Sequence, residues 1–99
     1  MIIEHAVLNV VPGKANEFEA ALHLAMPLIS ASPGFQGLEI RRNAASANQY
    51  LLLVRWDSVA AHTEGFRKSD RYQKWKEMLH DLYNPFPTVS HFDQVVAQA

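Results

Sequence analysis

Three features of the 99-residue sequence predict an α+β domain: a four-stranded antiparallel sheet with helices on one face. Runs of β-formers and helical apolar stripes follow one another in the order β-α-β-β-α-α-β. Two of the β-runs are joined by a short polar loop, as in an antiparallel hairpin. No Gly- or Ser-rich tract divides the chain, and 48% of it is apolar, enough for one ordinary core. This order is that of the split βαβ, or ferredoxin-like, arrangement, with residues 1–99 as a single domain.

Residues 2 to 11 carry Ile2, Ile3, Val7, Leu8, Val10 and Val11 and predict the first strand, which Pro12-Gly13 ends. Ala15, Phe18, Leu22, Ala25 or Met26, and Ile29 then recur at helical spacing. Pro27 lies inside that stripe, so the helix is expected to kink or end near Met26. Ser30 to Gly34 forms a turn. Phe35, Leu38 and Ile40 belong to a second strand, with Gly37 marking a bulge or a close approach. Asn43 to Asn48 reads as the hairpin loop and Gln49 to Trp56 as the strongest strand. Asp57 or Ser58 can cap a short helix to about Phe66, and Ser69 caps the next, whose stripe is Tyr72, Trp75, Leu79 and Leu82. Pro85 and Pro87 bar helix beyond Asn84, leaving Thr88 to Val96 as the final strand.

The third strand raises a problem of cover. Leu51 and Leu53 point one way, and Tyr50, Leu52, Val54 and Trp56 the other. Helices on one face of the sheet leave the other apolar face bare, and such a strand needs cover on both sides. A second copy of the chain, sheet against sheet, supplies it with two-fold symmetry. The alternative is cover by the chain's own C-terminal tail.

Composition excludes several classes. Nine Lys and Arg against ten Asp and Glu give a net charge of −1, which recruits neither nucleic acid nor anionic lipid. The absence of cysteine removes disulfides, thiolate metal sites and thiol nucleophiles. The longest apolar run, Tyr50 to Val54, is far below the ~20 residues that span a bilayer. The start, Met1-Ile2-Ile3-Glu4-His5, lacks the basic segment of a secretory leader, so a complete cytoplasmic protein is expected. No Gly-rich phosphate loop, nucleophile elbow or paired-histidine metal motif is present. His5, His23, His62, His80 and His91 are scattered over different elements, and no protein-bound metal is expected.

His62 is the most informative histidine. It shares a helical face with Phe66, and Val59 extends that face beside a buried strand. It is either a general base or hydrogen-bond donor to a ligand, or a histidine filling a helix position. Tyr72 and Trp75 are either core or walls for a flat aromatic ligand, since their polar tips need partners when buried, and Leu79 reads as core. His91 faces either a pocket or the dimer interface, or is a satisfied structural histidine. His5, Val7 and Asn9 fall toward the dimer side, and His23 and His80 are expected in solvent. Arg67, Lys68, Arg71, Lys74 and Lys76 read as a solvated helix face, or as cations steering an anion inward.

Several segments together resemble one family. They are Pro12-Gly13-Lys14 with Glu17-Phe18, Ser32-Pro33-Gly34-Phe35, Arg55-Trp56-Asp57-Ser58 with Ala60-Ala61-His62, Phe66-Arg67-Lys68-Ser69-Asp70, and Pro85-Phe86-Pro87-Thr88-Val89 leading to His91-Phe92. Over about residues 2 to 96 they resemble the antibiotic biosynthesis monooxygenase (ABM) domain of the dimeric α+β barrel superfamily. The resemblance implies a homodimer of sheets, with a pocket between sheet and helices in each protomer. It implies a monooxygenase acting on a small aromatic, anthrone or hydroquinone-type substrate with dioxygen and no cofactor. A ligand-binding or stress-response dimer without turnover is the alternative. The cofactor-free oxygenases pair an Asn and a Trp on the short helix with a Tyr shortly after; here those positions read His62, Phe66 and Tyr72. Haem-degrading members carry Asn, Trp and His where this chain has Ala6, Phe66 and Lys76, and Lys76 cannot replace the axial histidine. On this reading His62 takes a proton or holds an oxyanion and Tyr72 donates a hydrogen bond. Trp56, Phe66, Trp75, Leu79, Ala6 and His91 contact the substrate.

Overall fold

The computed structural model describes residues Met1–Ala99. Strands β1 (Ile2–Asn9), β2 (Phe35–Asn43), β3 (Ser46–Trp56) and β4 (Val89–Phe92) form one sheet in the order β2-β3-β1-β4, antiparallel throughout. Helices α1 (Ala15–Ser30) and α2 (Asp70–Leu79) cover one face. A π-helical segment, Ala61–Phe66, precedes α2, and a 3₁₀ turn, His80–Leu82, follows it. The fold class is thus the α+β, ferredoxin-like arrangement that the sequence predicts. No helix is long and apolar enough to cross a membrane.

Strand alternation sets the core. Glu4, Ala6 and Leu8 point inward, opposite Val54, Leu52 and Tyr50 on the paired β3, and these six are buried together with Val10 and Trp56. Phe18, Leu22, Ala25 and Ile29 of α1 and Trp75 and Leu79 of α2 close over them. The other face carries Ile3, His5, Val7, Leu51, Leu53 and Phe92; Val7 and Phe92 are exposed. The C-terminal tail does not cover that face, since Val95 and Val96 are themselves exposed.

Several boundaries differ from the sequence reading. The first strand stops at Asn9, and Val10 makes only an isolated bridge to Tyr83. Helix α1 runs through Pro27 to Ser30 instead of ending near Met26. Pro27 and His23, whose carbonyl loses its helical donor, both face solvent, where water can take over, while Ala25 and Ile29 stay buried on the core side. The hairpin loop shrinks to Ala44-Ala45, with Asn43 Oδ1 accepting a hydrogen bond from the Ala45 N–H at 2.8 Å. The last strand covers only Val89–Phe92, because β1 offers it partners only from Ile3 to Ala6.

The caps hold as chemistry predicts. Ser58 Oγ accepts from the Ala61 N–H at 3.1 Å and Ser69 Oγ from the Tyr72 N–H at 3.3 Å. Gly37 adopts φ +152° at a register shift, with the Arg55 guanidinium packed over its missing side chain. Gly34, at φ +86°, ties α1 and β2 to the π-helical segment: its carbonyl accepts from the Asp57 N–H at 2.8 Å, and a Cβ there would sit 2.8 Å from Ala61 Cβ. Gly34→Ala is expected to destabilise the fold by roughly 1–3 kcal/mol through left-handed strain and that clash. The melting midpoint should fall by about 4–8 °C per kcal/mol, read by circular dichroism.

Candidate functional site

The inward phase of β1 puts a carboxylate among hydrocarbons. Glu4 is 5% exposed, in step with Ala6 and Leu8. Its Oε1 accepts a hydrogen bond from Trp56 Nε1 at 2.9 Å and lies 3.3 Å from His62 Nε2. His62 Nδ1 lies 2.9 Å from Nε2 of His91, which stands opposite Glu4 across the β1–β4 pairing. The His62 ring stacks on Trp56, centroids 5.5 Å apart and planes 22° from parallel. Four elements therefore converge on one line of hydrogen bonds, Trp56–Glu4–His62–His91.

The π-helical segment sets the geometry of the line. The Arg67 N–H donates to the His62 carbonyl at 3.0 Å, an i→i+5 bond. Residues five apart, roughly 140° apart on an α-helix, come into register, so Arg67 joins His62 and Phe66 on the inner side. Val59, on the α-helical pitch with His62, faces solvent. Arg67 Nε is buried without a hydrogen-bond partner.

Burial dominates the electrostatics. It raises the Glu4 carboxyl above its ordinary value, against the lowering effects of the Trp56 hydrogen bond and Arg67. Burial also lowers His62 to about 3, with the Arg67 and His91 charges acting in the same direction. His91 is lowered by burial and by Arg67. His62 is therefore neutral near pH 7, and its contact with Glu4 is a hydrogen bond, not an ion pair. A neutral imidazole has one N–H for its two polar neighbours, so the direction of the His62–His91 bond follows from that of the Glu4–His62 bond.

Glu4 and His62 form part of the wall of a narrow pocket between sheet and helices, whose cavity volume is about 50 Å³. Of the side chains singled out in the sequence, Ala6, His62, Phe66, Tyr72 and Trp75 line it. Trp56 and Leu79, both completely enclosed in the core, and His91 stand outside the lining. Trp56 and His91 instead engage its polar wall from behind, through Glu4 and His62. Phe66 packs edge-on between Tyr72 (5.4 Å) and Trp75 (5.8 Å).

Among the lining residues, Glu4 and His80 were not foreseen in the pocket, and Arg67 entered only as one of five cations that are either solvated or steer an anion inward. Glu4 had a signal, its phase with Ala6, Leu8 and Val10. Nothing on an α-helical reading set Arg67 apart from the other four. His80, expected in solvent, is half-buried at the mouth, edge-on to Tyr72, Tyr83 and Phe86 at 6.1, 5.6 and 5.1 Å, and burial lowers its pKa. The cationic run is divided: Lys68 pairs with Glu64 at the surface, Lys76 Nζ lies over the Tyr72 ring, and Arg71 donates to the buried Ser32 hydroxyl at 3.2 Å. Glu4, His62 and His91 lie in a line, and no three His, Asp or Glu side chains converge as a metal site.

Fold and site define a small α+β domain with an aromatic pocket beside a buried carboxylate–imidazole pair. Residues 1–78 match the Antibiotic biosynthesis monooxygenase (ABM) family, and the chain belongs to that family. It is 44% identical over 95 residues to the uncharacterised protein YczJ of Bacillus subtilis, covering 96% of this chain and all of that one. A crystal structure of a candidate antibiotic biosynthesis monooxygenase from Bordetella bronchiseptica superposes with a TM-score of 0.91 at 32% identity, over 96% of this chain and 97% of that one. SnoaB, a cofactor-independent oxygenase from Streptomyces nogalater, shares the fold with a TM-score of 0.82 at 17% identity, over 98% and 97% of the two chains.

The titrations carry a consequence for stability. Unfolded His62 protonates near 6.5 and folded His62 only near 3, so the unfolded chain binds more protons between those values and stability falls as pH drops through the window. His80 and His91 act in the same direction. Glu4 opposes them: its raised pKa makes the folded state the better proton binder above 4.5. The His62 contribution is at most about 5 kcal/mol. Thermal melts should show a falling midpoint from pH 6.5 downward, and His62→Gln should flatten the fall.

Proposed function

We propose that the protein is a cofactor-independent monooxygenase of a small electron-rich hydroxyarene, an anthrone or hydroquinone, with dioxygen as oxidant. The observation that carries the reading is a buried carboxylate–imidazole pair on the wall of an aromatic pocket that Arg67 also faces. Such a site binds a flat apolar ring, removes its hydroxyl or enol proton and stabilises the resulting anion away from water. The Glu4–His62 pair takes the proton. Arg67 and the Tyr72 hydroxyl hold the oxyanion, and Phe66, Trp75 and Ala6 wall the ring.

The anion then gives an electron to dioxygen, and the two radicals combine into a peroxide. Loss of water leaves one oxygen atom on the product. For an anthrone the sum is R₂CH₂ + O₂ → R₂C=O + H₂O, so the substrate supplies all four electrons. Membership of the ABM family and the fold shared with a cofactor-independent oxygenase support the reading.

The active form in this proposal is a homodimer. Val7, Leu51, Leu53 and Phe92 leave the open sheet face apolar, and a second sheet buries it. Sedimentation should give twice the 11.2 kDa chain mass, and Leu53→Asp should return it to monomer.

Dioxygen uptake by chelator-treated protein with anthrone and 1,4-naphthohydroquinone tests the chemistry. Uptake should exceed the spontaneous rate, fall about 100-fold in His62→Ala and about 10-fold in Tyr72→Phe. Uptake equal to the spontaneous rate in all three proteins would sink the oxygenase reading.

A further inference from the structure

We propose that the proton acceptor within this pair is the Glu4 carboxylate, and that His62 and His91 are positioning residues that hold it ready. The inference rests on the oxygenase reading for the donor, a phenolic or enolic hydroxyl, but not for the transfer itself.

Geometry separates the two members of the pair. Both ring nitrogens of His62 are engaged, Nε2 with Glu4 and Nδ1 with His91, so the ring can accept a substrate proton only by breaking the line. Glu4 uses one oxygen for both of its protein contacts, Trp56 Nε1 and His62 Nε2. Its Oε2 makes no hydrogen bond within the chain, and Glu4 lines the pocket. With Glu4 anionic, His62 donates through Nε2–H, and its Nδ1 must then accept from His91 Nε2–H. One consistent arrangement of protons therefore fixes the carboxylate, with His91 as its outer anchor on β4.

Energetics agree. Burial makes Glu4 a stronger base than an exposed carboxylate, and the same burial makes the His62 imidazole a poor one. The charged and titratable groups facing the pair are Arg67, which follows the π-helical segment, and His91 from β4, with Tyr72 of α2 and, after it, His80 and Tyr83 also lining the pocket. In the step, the substrate O–H bond breaks, its electron pair stays on oxygen, and the proton bonds to Glu4 Oε2. Negative charge passes from one oxygen to another within the field of Arg67, so no new charge is created in the pocket.

4-Nitrophenol tests this without dioxygen, because its phenolate is yellow and its phenol colourless. The dye is saturated with protein under argon, one pH unit below its own pKa. Bound to the parent protein it should be more ionised than in free solution at that pH. Bound to Glu4→Gln, which keeps the side chain's shape, that excess colour should be lost. Glu4→Asp should restore part of the colour, and His62→Gln should keep more of it than Glu4→Gln does. If Arg67 alone ionises the dye, Glu4→Gln will keep or deepen the colour, and the proposal falls. Loss of colour in His62→Gln with retention in Glu4→Gln would assign the proton to the imidazole instead, and failure of the parent to bind the dye would also overturn the proposal. Ionised dye without dioxygen uptake would overturn the oxygenase reading and leave Glu4 as the acceptor.

Discussion

A carboxylate among Ala6, Leu8 and Val10 costs several kcal/mol unless partners replace its water, and the site is organised around that constraint. Trp56 supplies a donor from the end of β3, and His62 Nε2 from the π-helical segment lies 3.3 Å from the same oxygen. Each partner is fixed in turn. Trp56 is completely buried, with Phe35 edge-on at 5.8 Å and His62 stacked on its face, and His91 engages the far nitrogen of His62. Removing any member strands a buried polar group and costs more than the bond it made. The network therefore pins the junction of β1, β3, β4 and the π-helical segment, where no run of backbone hydrogen bonds joins all four.

The π-helical pitch does the complementary work on the other side of the pocket. An α-helix from Ala61 would turn Arg67 toward solvent beside Lys68. With the i→i+5 backbone bond from Arg67 to His62, the arginine instead lines the pocket beside the histidine, and its Nε goes unpartnered. The pocket wall thereby carries a buried carboxyl group on one side and a guanidinium with an unpartnered Nε on the other.

The fold was legible because its signals are local and redundant. The alternation of Tyr50 to Trp56, the caps at Ser58 and Ser69, and the stripe from Phe18 to Ile29 each report on one element and agree with one another. The site was legible only in part. His62, Phe66, Tyr72 and Trp75 announce themselves as aromatic or titratable groups on helical faces. Glu4 was readable from its phase in β1, but a charged residue in a weakly alternating strand invites the solvent reading. Arg67 was readable only as one of five cations, since the helical periodicity that would have singled it out assumes the very pitch that the segment abandons. His80 depended on aromatic partners, Tyr83 and Phe86, that reach it only once the chain after α2 folds back over the mouth.

Strand β1 also joins the two faces of the sheet. Its even positions, Glu4, Ala6 and Leu8, build the pocket wall, and its odd positions, Ile3, His5 and Val7, build the open apolar face. The short edge strand β4 repeats the pattern: His91 reaches inward to His62, while Phe92 lies outward with its ring edge-on to His5 at 5.7 Å. Four residues of edge strand with one exposed aromatic make a weak anchor for a group that engages the partner of a buried carboxyl. A partner sheet seated on Val7 and Phe92 would clamp β4 to β1 from behind and so hold His91 against His62. In the dimeric reading, cover for the apolar face and rigidity of the proton acceptor are therefore one requirement, and a monomeric variant should lose order at His91 before it loses the core beneath α1.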